Sequence, residues 1–332
     1  MKVFLDTRFE TDWAKETWTR TAASWNPSEC EIVSEEAAAD AVLITIVDPQ
    51  LPYATCIEEI KRLPSRRARR DTVFVFDTAD HPAGLFPGLY ASLRRALFSG
   101  VRHRTACYLT SFNEFLQPQP RDPRPPLLFS FMGNLTAPVR ARILQTPWNR
   151  KDVVVERTEP LWSRLGDAGI RPFKEEYVSV MGRSRFVLCP KGNGTSSFRL
   201  FETMQCGRVP VIIADSWVPC GNVDWASCSI RVREADVSKL VEICAAHEHR
   251  WFAMAEAAHR AWQTWFSPEG LGRLVAHSIA EIQTARRLPE RLYAYGWPLR
   301  TGFLRGRGLL VHGRNLAFDW TSRLRPALSR RQ

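Results

Sequence analysis

The 332-residue sequence has no long hydrophobic run, no paired cysteines and no familiar phosphate-binding fingerprint. Its longest apolar stretches are strand-sized runs such as AVLITIV, well short of the ~20 residues a membrane-spanning helix needs. The start, MKVFLDTRFETD, turns acidic and polar at once, unlike an export signal. Eight cysteines are scattered without a CxxC pair. They are expected as reduced, buried thiols in a cytosolic protein, neither a disulfide frame nor a zinc cluster. Neither GxxxxGK[ST] nor GxGxxG occurs, which excludes a P-loop and the ordinary dinucleotide fingerprint. No repeat of solenoid period and no low-complexity tract is present.

What the chain does have is ordinary globular composition, 45% apolar and 24% charged, with a net charge of +11. The charge is uneven. Residues 291–332 form a basic, aromatic tail, with eight arginines against one aspartate from Tyr295 onward, and KRLPSRRARR at 61–70 forms a second cluster. Such patches favour anionic partners: phosphoryl groups, an acidic leaflet or nucleic acid. Leucines and aromatics interleave with the tail arginines, so a segment packed on the N-terminal domain or lying at a membrane surface is expected.

Apolar runs and helix-like stretches alternate. KVFLD (2–6), DAVLITIV (40–47), TVFVFD (72–77) and TACYLT (105–110) read as strands buried on both faces, with helices over Pro52–Leu63 and Ala91–Phe98. QPQPRDPRPP (117–126), five prolines in ten residues, is an extended connector. Beyond it LLFSFMG (127–133), DVVVE (152–156), SRFVLCP (184–190), VPVIIAD (209–215) and SIRV (229–232) read as strands, Pro138–Gln145 and Tyr177–Gly182 as helices, and 236–284 as helical. The fold class is α/β: two domains, 1–116 and 127–290, joined by the connector and separated by a cleft.

The stretch from Ser184 to Asp215, SRFVLCPKGNGTSSFRLFETMQCGRVPVIIAD, carries the chemistry. A strand ends at Pro190, a KGNGTSS loop follows, and a helix closes at Gly207 before the next strand. A right-handed crossover puts this loop at the carboxyl edge of the sheet, where open α/β sheets bind ligands. Thr195, Ser196 or Ser197 can cap the helix, whose first amides and dipole favour an anion. Gly192 and Gly194 admit close backbone approach, and Lys191 adds charge. Arg199 and Glu202 lie three apart on neighbouring positions of one face. The set suits a nucleoside diphosphate, cations and amides for phosphates and a carboxylate for ribose hydroxyls. The alternative is a surface loop with an Arg199–Glu202 ion pair.

This segment, continued by SWVPCGNVDW and SIRVREADVSKL, strongly resembles the exostosin-like glycosyltransferases of family 47. The matching residues are Tyr177, Ser184, Phe186, Cys189, Pro190, Gly192, Ser197, Arg199, Glu202, Gly207, Pro210, Val211, Pro219, Trp225, Glu234 and Asp236, and FSFMGNLTAPVRARIL resembles the family's entry to its second domain. The likeness covers roughly residues 127–245. Thr203 and Cys220 stand where alanine and phenylalanine are frequent, departures that bear on sugar specificity. The resemblance implies a GT-B fold, two facing Rossmann-like domains with parallel sheets and an inter-domain cleft. It also implies inverting, metal-independent transfer from a nucleotide-sugar donor, UDP-linked, to an oligosaccharide or lipid-linked glycan of a bacterial-type surface polysaccharide. The sequence agrees in having no DxD in its second half and no E-x7-E around Glu202.

Donor contacts are assigned to Lys191, Gly192, Gly194, Thr195, Ser196, Ser197, Arg199 and Glu202, with Gly133 and Asn134 near the phosphates. The acceptor-activating base is expected from strand ends of the first domain, one of Asp80, His81, Asp77 and Asp6, where each is also an ordinary turn residue. His247, His249 and His259 fall on a helical stretch without metal-ligand spacing; no metal and no cofactor is called for. Trp251, Trp262 and Trp265 read as packing, and Trp217 and Trp225 as packing or sugar platforms. Cytoplasmic placement, peripheral at the inner membrane face, is expected. Competing readings are a nucleic-acid-binding protein, an inactive glycosyltransferase-like subunit, and a fucosyltransferase-type enzyme with a GDP donor, which lacks this KGNGTSSFR loop.

Overall fold

The computed structural model describes residues 1–109, 113–118, 125–159 and 170–294. The expected strands of continuous apolar sequence are there. β1 (Lys2–Asp6), β2 (Glu31–Ile32), β3 (Ala41–Ile46), β4 (Val73–Asp77), β5 (Gly88–Tyr90) and β6 (His103–Thr105) form one parallel sheet in the order β2-β1-β3-β4-β5-β6. β7 (Leu127–Gly133), β8 (Val153–Arg157), β9 (Ser184–Pro190), β10 (Val209–Ile213) and β11 (Ile230–Arg231) form a second, in the order β11-β10-β9-β7-β8, also parallel. Every residue of β3, β4, β7 and β10 is buried, as parallel strands covered on both faces require.

The helices are α1 (Asp12–Ala23), α2 (Tyr53–Arg62), α3 (Pro64–Ala68), α4 (Pro138–Gln145), α5 (Ile170–Gly182), α6 (Phe198–Gln205), α7 (Trp225–Cys228), α8 (Leu240–Ala246), α9 (Trp251–Trp265) and α10 (Pro268–Ala285). Among the described residues, no helix is long and apolar enough to cross a membrane. All eight cysteines are free and buried. The middle of the proline connector and residues 295–332 of the basic tail lie outside the described residues.

Three expectations change. Ala91–Phe98 is a chain of turns, not a helix. Its amides find distant carbonyls, Ala91 N–H donating to Asp77 O and Arg95 N–H to Ser216 O, so no helical ladder forms. The strand expected at 105–110 ends at Thr105. Residues 268–290, counted above with the second domain, pack against the first: Leu274, Val275, Ile279 and Ile282 join a core with Val3, Leu43, Phe74 and Leu89. Arg273 of α10 pairs with Glu29 at 2.8 Å, and Arg104 with Glu281 at 2.6 Å.

The KRLPSRRARR cluster is largely spoken for within the fold. Lys61 and Arg62 pair with Glu58 and Glu59, and Arg69 donates to the carbonyls of Glu36 and Ala39. Arg66 belongs to a buried clasp around Glu290, a carboxylate with no solvent exposure. Arg102 donates to both Glu290 oxygens, at 2.5 and 3.2 Å, and Arg66 and Arg286 stand 3.8 and 3.9 Å away. The Glu290 N–H donates to Asp71, so the clasp fastens the end of the described chain to the first domain. Removing one partner of such a cluster leaves like charges buried without compensation. Glu290→Ala is therefore expected to cost about 3–5 kcal/mol in a denaturant melt, while Glu58→Ala, an exposed pair, costs under about 1 kcal/mol.

Candidate active site

The carboxyl ends of β7 and β9 face the first domain across a cleft of about 190 Å³. That exceeds the ~150 Å³ cavity known to admit benzene, so the cleft takes a molecule rather than an ion. It is lined from the second domain by Gly133, Asn134, Gly192, Ser196, Arg199 and Glu202, and from the first by Asp80 and Tyr108. The strand–loop–helix unit behind it closes as its sequence dictates. Gly207, at φ +66°, ends α6 with Gly207 N–H donating to Met204 O and Arg208 N–H to Thr203 O, a Schellman closure that starts β10 two residues later.

Two buried arginines dominate the site. Arg140, from α4, donates through Nε to Lys191 O at 2.9 Å, through Nη1 to Asn134 Oδ1 at 3.0 Å and through Nη2 to Pro190 O at 3.3 Å. Arg199, from the first turn of α6, donates to Met132 O at the end of β7. Its guanidinium lies over the Phe131 ring at 4.7 Å and the Tyr177 ring at 5.7 Å. Among the described residues neither guanidinium pairs with a carboxylate. Burial, and next the charge of Arg199, press the Arg140 pKa downward.

Unspent donors collect here. Arg199 Nε and Nη1, Ser196 Oγ and Thr136 Oγ1 are buried without a hydrogen-bond partner, and all three residues line the cleft. Buried polar atoms are rarely left so, and four at one cleft mark a place for oxygen-rich ligand atoms. Glu202 stands beside them. The Tyr177 hydroxyl donates to its Oε2 at 2.7 Å, and burial raises its carboxyl pKa. The surface ion pair between Arg199 and Glu202 is thus not what forms.

The other assigned residues divide. Gly133 is required: a Cβ there would lie 2.9 Å from Arg199 Nη2 and from the Phe131 ring. Lys191 does not line the cleft; its ammonium pairs with Glu234 at 3.0 Å. Ser197 occupies the N-cap position of α6 without a side-chain cap bond. Gly194 and Thr195 meet the first domain instead of open space. The Thr195 N–H donates to Ser92 Oγ at 2.6 Å, and a Cβ at Gly194 would lie 2.1 Å from that oxygen and 2.8 Å from Asp80 O.

Of the four base candidates, the fold brings only Asp80 to the cleft lining, where it is exposed. His81 is exposed beside it. Asp77 is interior, accepting from Tyr53 Oη at 2.7 Å and Ala79 N at 2.9 Å, with burial pushing its pKa up to about 7. Asp6 is buried at the end of β1 and tied to Arg8 at 2.8 Å. Trp217 and Trp225 meet edge to face at 5.1 Å, both buried, and are packing residues. Among the described residues, no group of three His, Cys, Asp or Glu could hold a metal ion. Sequence reading passed over Arg140, Ser92 and Tyr108. Arg140 stands in FSFMGNLTAPVRARIL two residues from the exposed Arg142, and nothing in spacing separates them.

A two-domain α/β protein with a cationic cleft at its strand ends is the class this geometry defines. Residues 95–246 match the Exostosin GT47 domain. An exostosin-1 homologue of Caenorhabditis elegans is 39% identical over 77 residues, 23% of this chain and 20% of that protein. A probable glycosyltransferase of Arabidopsis thaliana is 32% identical over 120 residues, 36% of this chain and 21% of that one. The chain thus spans about a fifth of the length of these relatives. The crystal structure of Anabaena HepE in complex with UDP and glucose superposes with a TM-score of 0.35 and 11% identity over 86% of this chain and 99% of that one, a likeness too distant to carry weight.

Two outcomes follow from the geometry. Gly194→Ala forces Ser92 and the Asp80 backbone away, so a drop in stability of about 1–3 kcal/mol is expected in a thermal melt, with Gly100→Ala, which meets nothing within 4 Å, as the neutral comparison. Asp77 has a folded-state pKa near 7 against 3.8 ordinarily, so its protonated form favours the fold. Its contribution is full below about pH 4 and is lost as pH rises through about 7. Denaturant titrations across that window should show a falling stability that Asp77→Asn flattens.

Proposed function

We propose that this chain is a glycosyltransferase that binds a nucleoside-diphosphate sugar in the cleft, its diphosphate on Arg199 and Arg140. One observation carries the reading: a buried Arg199 guanidinium holds two unpartnered N–H groups toward a cleft that contains no compensating ion pair among the described residues. A diphosphate leaving group needs such fixed positive charge as its bond to the sugar breaks. Two arginines supply the charge that a divalent ion supplies in other transferases, in keeping with a metal-independent route. Ser196 and Thr136 hydroxyls offer further donors, and Glu202, held by Tyr177, accepts from ribose or sugar hydroxyls.

Asp80 is the proposed base. It sits on the opposite, first-domain side of the cleft, where an acceptor hydroxyl would approach a donor held by the second domain, and attack from that side inverts the anomeric carbon. UDP is the proposed nucleotide and a growing glycan, free or lipid-linked, the proposed acceptor, at the cytoplasmic face of a bacterial-type cell envelope. These finer assignments rest on the family resemblance.

Calorimetry with UDP, GDP, ADP and CMP tests the reading. Selective binding of one diphosphate is expected, weakened about tenfold to a hundredfold by Arg199→Ala and by Arg140→Ala, the loss of a charge-assisted hydrogen bond each. Asp80→Ala should leave that affinity nearly unchanged and lower turnover of the matching nucleotide sugar by about 10²-fold or more. Binding of no nucleotide, or binding indifferent to both arginines, defeats the proposal.

A further inference from the structure

A second cavity, of about 300 Å³, lies where α6 meets the α9–α10 junction and α1 of the first domain. It is twice the ~150 Å³ that accepts a single six-membered ring. Three residues belong to both cavities: Tyr108, Phe198 and Glu202 line this one and the cationic cleft alike. Tyr108 and Phe198 stack at 4.0 Å between ring centroids, a partition made by one residue from each side of the connector.

The two cavities differ in chemistry. The cleft carries Arg140 and Arg199 beside the carboxylates of Asp80, Glu159 and Glu202; the second cavity has no arginine or lysine in its lining and has only the carboxylates of Glu202 and Glu269 and the amide of Gln205. Its apolar wall is aromatic, with Phe201, Trp262 and Phe266. Trp262 is half-buried and stacked at 6.0 Å on the buried His259, which fixes its plane, and Phe201 and Phe266 meet edge to face at 5.0 Å. Flat, rigid rings suit the C–H face of a pyranose, while carboxylate and amide oxygens accept from its hydroxyls. A phosphorylated or uronic-acid ligand would meet two like charges and no cation.

We infer that this cavity is a subsite for a neutral sugar unit of the acceptor chain, with Trp262 as its platform and Glu269 and Gln205 as hydroxyl acceptors. The inference rests on the glycosyltransferase reading for the word acceptor, and on the cavity's own chemistry for the word saccharide. Trp262, which the sequence assigns to packing, then carries a binding role as well.

The test uses the full chain with cellobiose, maltose and N,N′-diacetylchitobiose, followed by tryptophan fluorescence and calorimetry, and with UDP in parallel. At least one neutral disaccharide is expected to bind with a millimolar dissociation constant, weakened about tenfold by Trp262→Ala and measurably by Glu269→Gln, while UDP affinity holds in both. Glu269 is exposed, so its variant reports on the subsite even where Trp262→Ala fails to fold, a failure that circular dichroism would expose. Binding of no neutral disaccharide by a protein that binds UDP overturns the subsite, as does disaccharide binding that neither variant changes. Disaccharide binding that responds to the variants, in a protein that binds no nucleotide, sustains the subsite and removes the donor reading instead.

Discussion

Two guanidinium groups held in the same buried space are the constraint around which this molecule is arranged. Like charges out of water repel strongly, and burial alone is unfavourable for each. The fold makes them tolerable with backbone carbonyls from strand ends. Pro190 and Lys191, at the close of β9, and Met132, near the close of β7, present the carbonyl oxygens that accept from the arginines. The Phe131 and Tyr177 rings add their negative faces. These partners satisfy Arg140 and leave Arg199 short, so the residual demand for an anion points into the cleft.

That arrangement needs the second half of the chain alone; the cleft's other wall needs the first. The two halves meet at Gly194, where the absence of a side chain lets Ser92 reach the loop and take the Thr195 amide. A serine hydroxyl from the first domain thus holds a loop amide of the second. Helix α10 strengthens the same union, since it leaves the second domain at Ser267 and packs on the first, and the residues after it are held by the Glu290 clasp. Closing a cleft in this way excludes water from its floor, which is what raises the worth of fixed charges there.

The sequence was most legible where one rule decides. Continuous runs such as AVLITI and LLFSFMG have no polar face to expose, so parallel strands buried on both sides follow directly. Gly207 was readable because only a left-handed residue closes that helix before a strand two residues on. Ala91–Phe98 misled because its helical spacing was outweighed by amide partners on β4 and beyond β10, which no local pattern reveals. Lys191 misled for a related reason: its charge was visible, but its partner Glu234 lies more than forty residues away in sequence. Arg140 and Ser92 were invisible as site residues because their significance lies in which distant segment they touch. Motif positions announce a loop's capacity, and only tertiary contacts decide which of its side chains face the ligand.

The separation of charge between the two cavities bears on how such a site would work. A transfer that moves a sugar away from a diphosphate must hold an anion that gains charge on one side and a neutral hydroxyl-bearing chain on the other. Arginines on both sides would bind the acceptor chain no better and would compete for the diphosphate. Here the arginines sit against β7 and β9, the carboxylate and aromatic surfaces lie toward α9 and α10, and Glu202 with the Tyr108–Phe198 pair stands between. Tyr108 follows the first sheet and Phe198 opens a helix of the second domain, so the stacked pair that divides the two cavities is built by both halves of the molecule and depends on their packing.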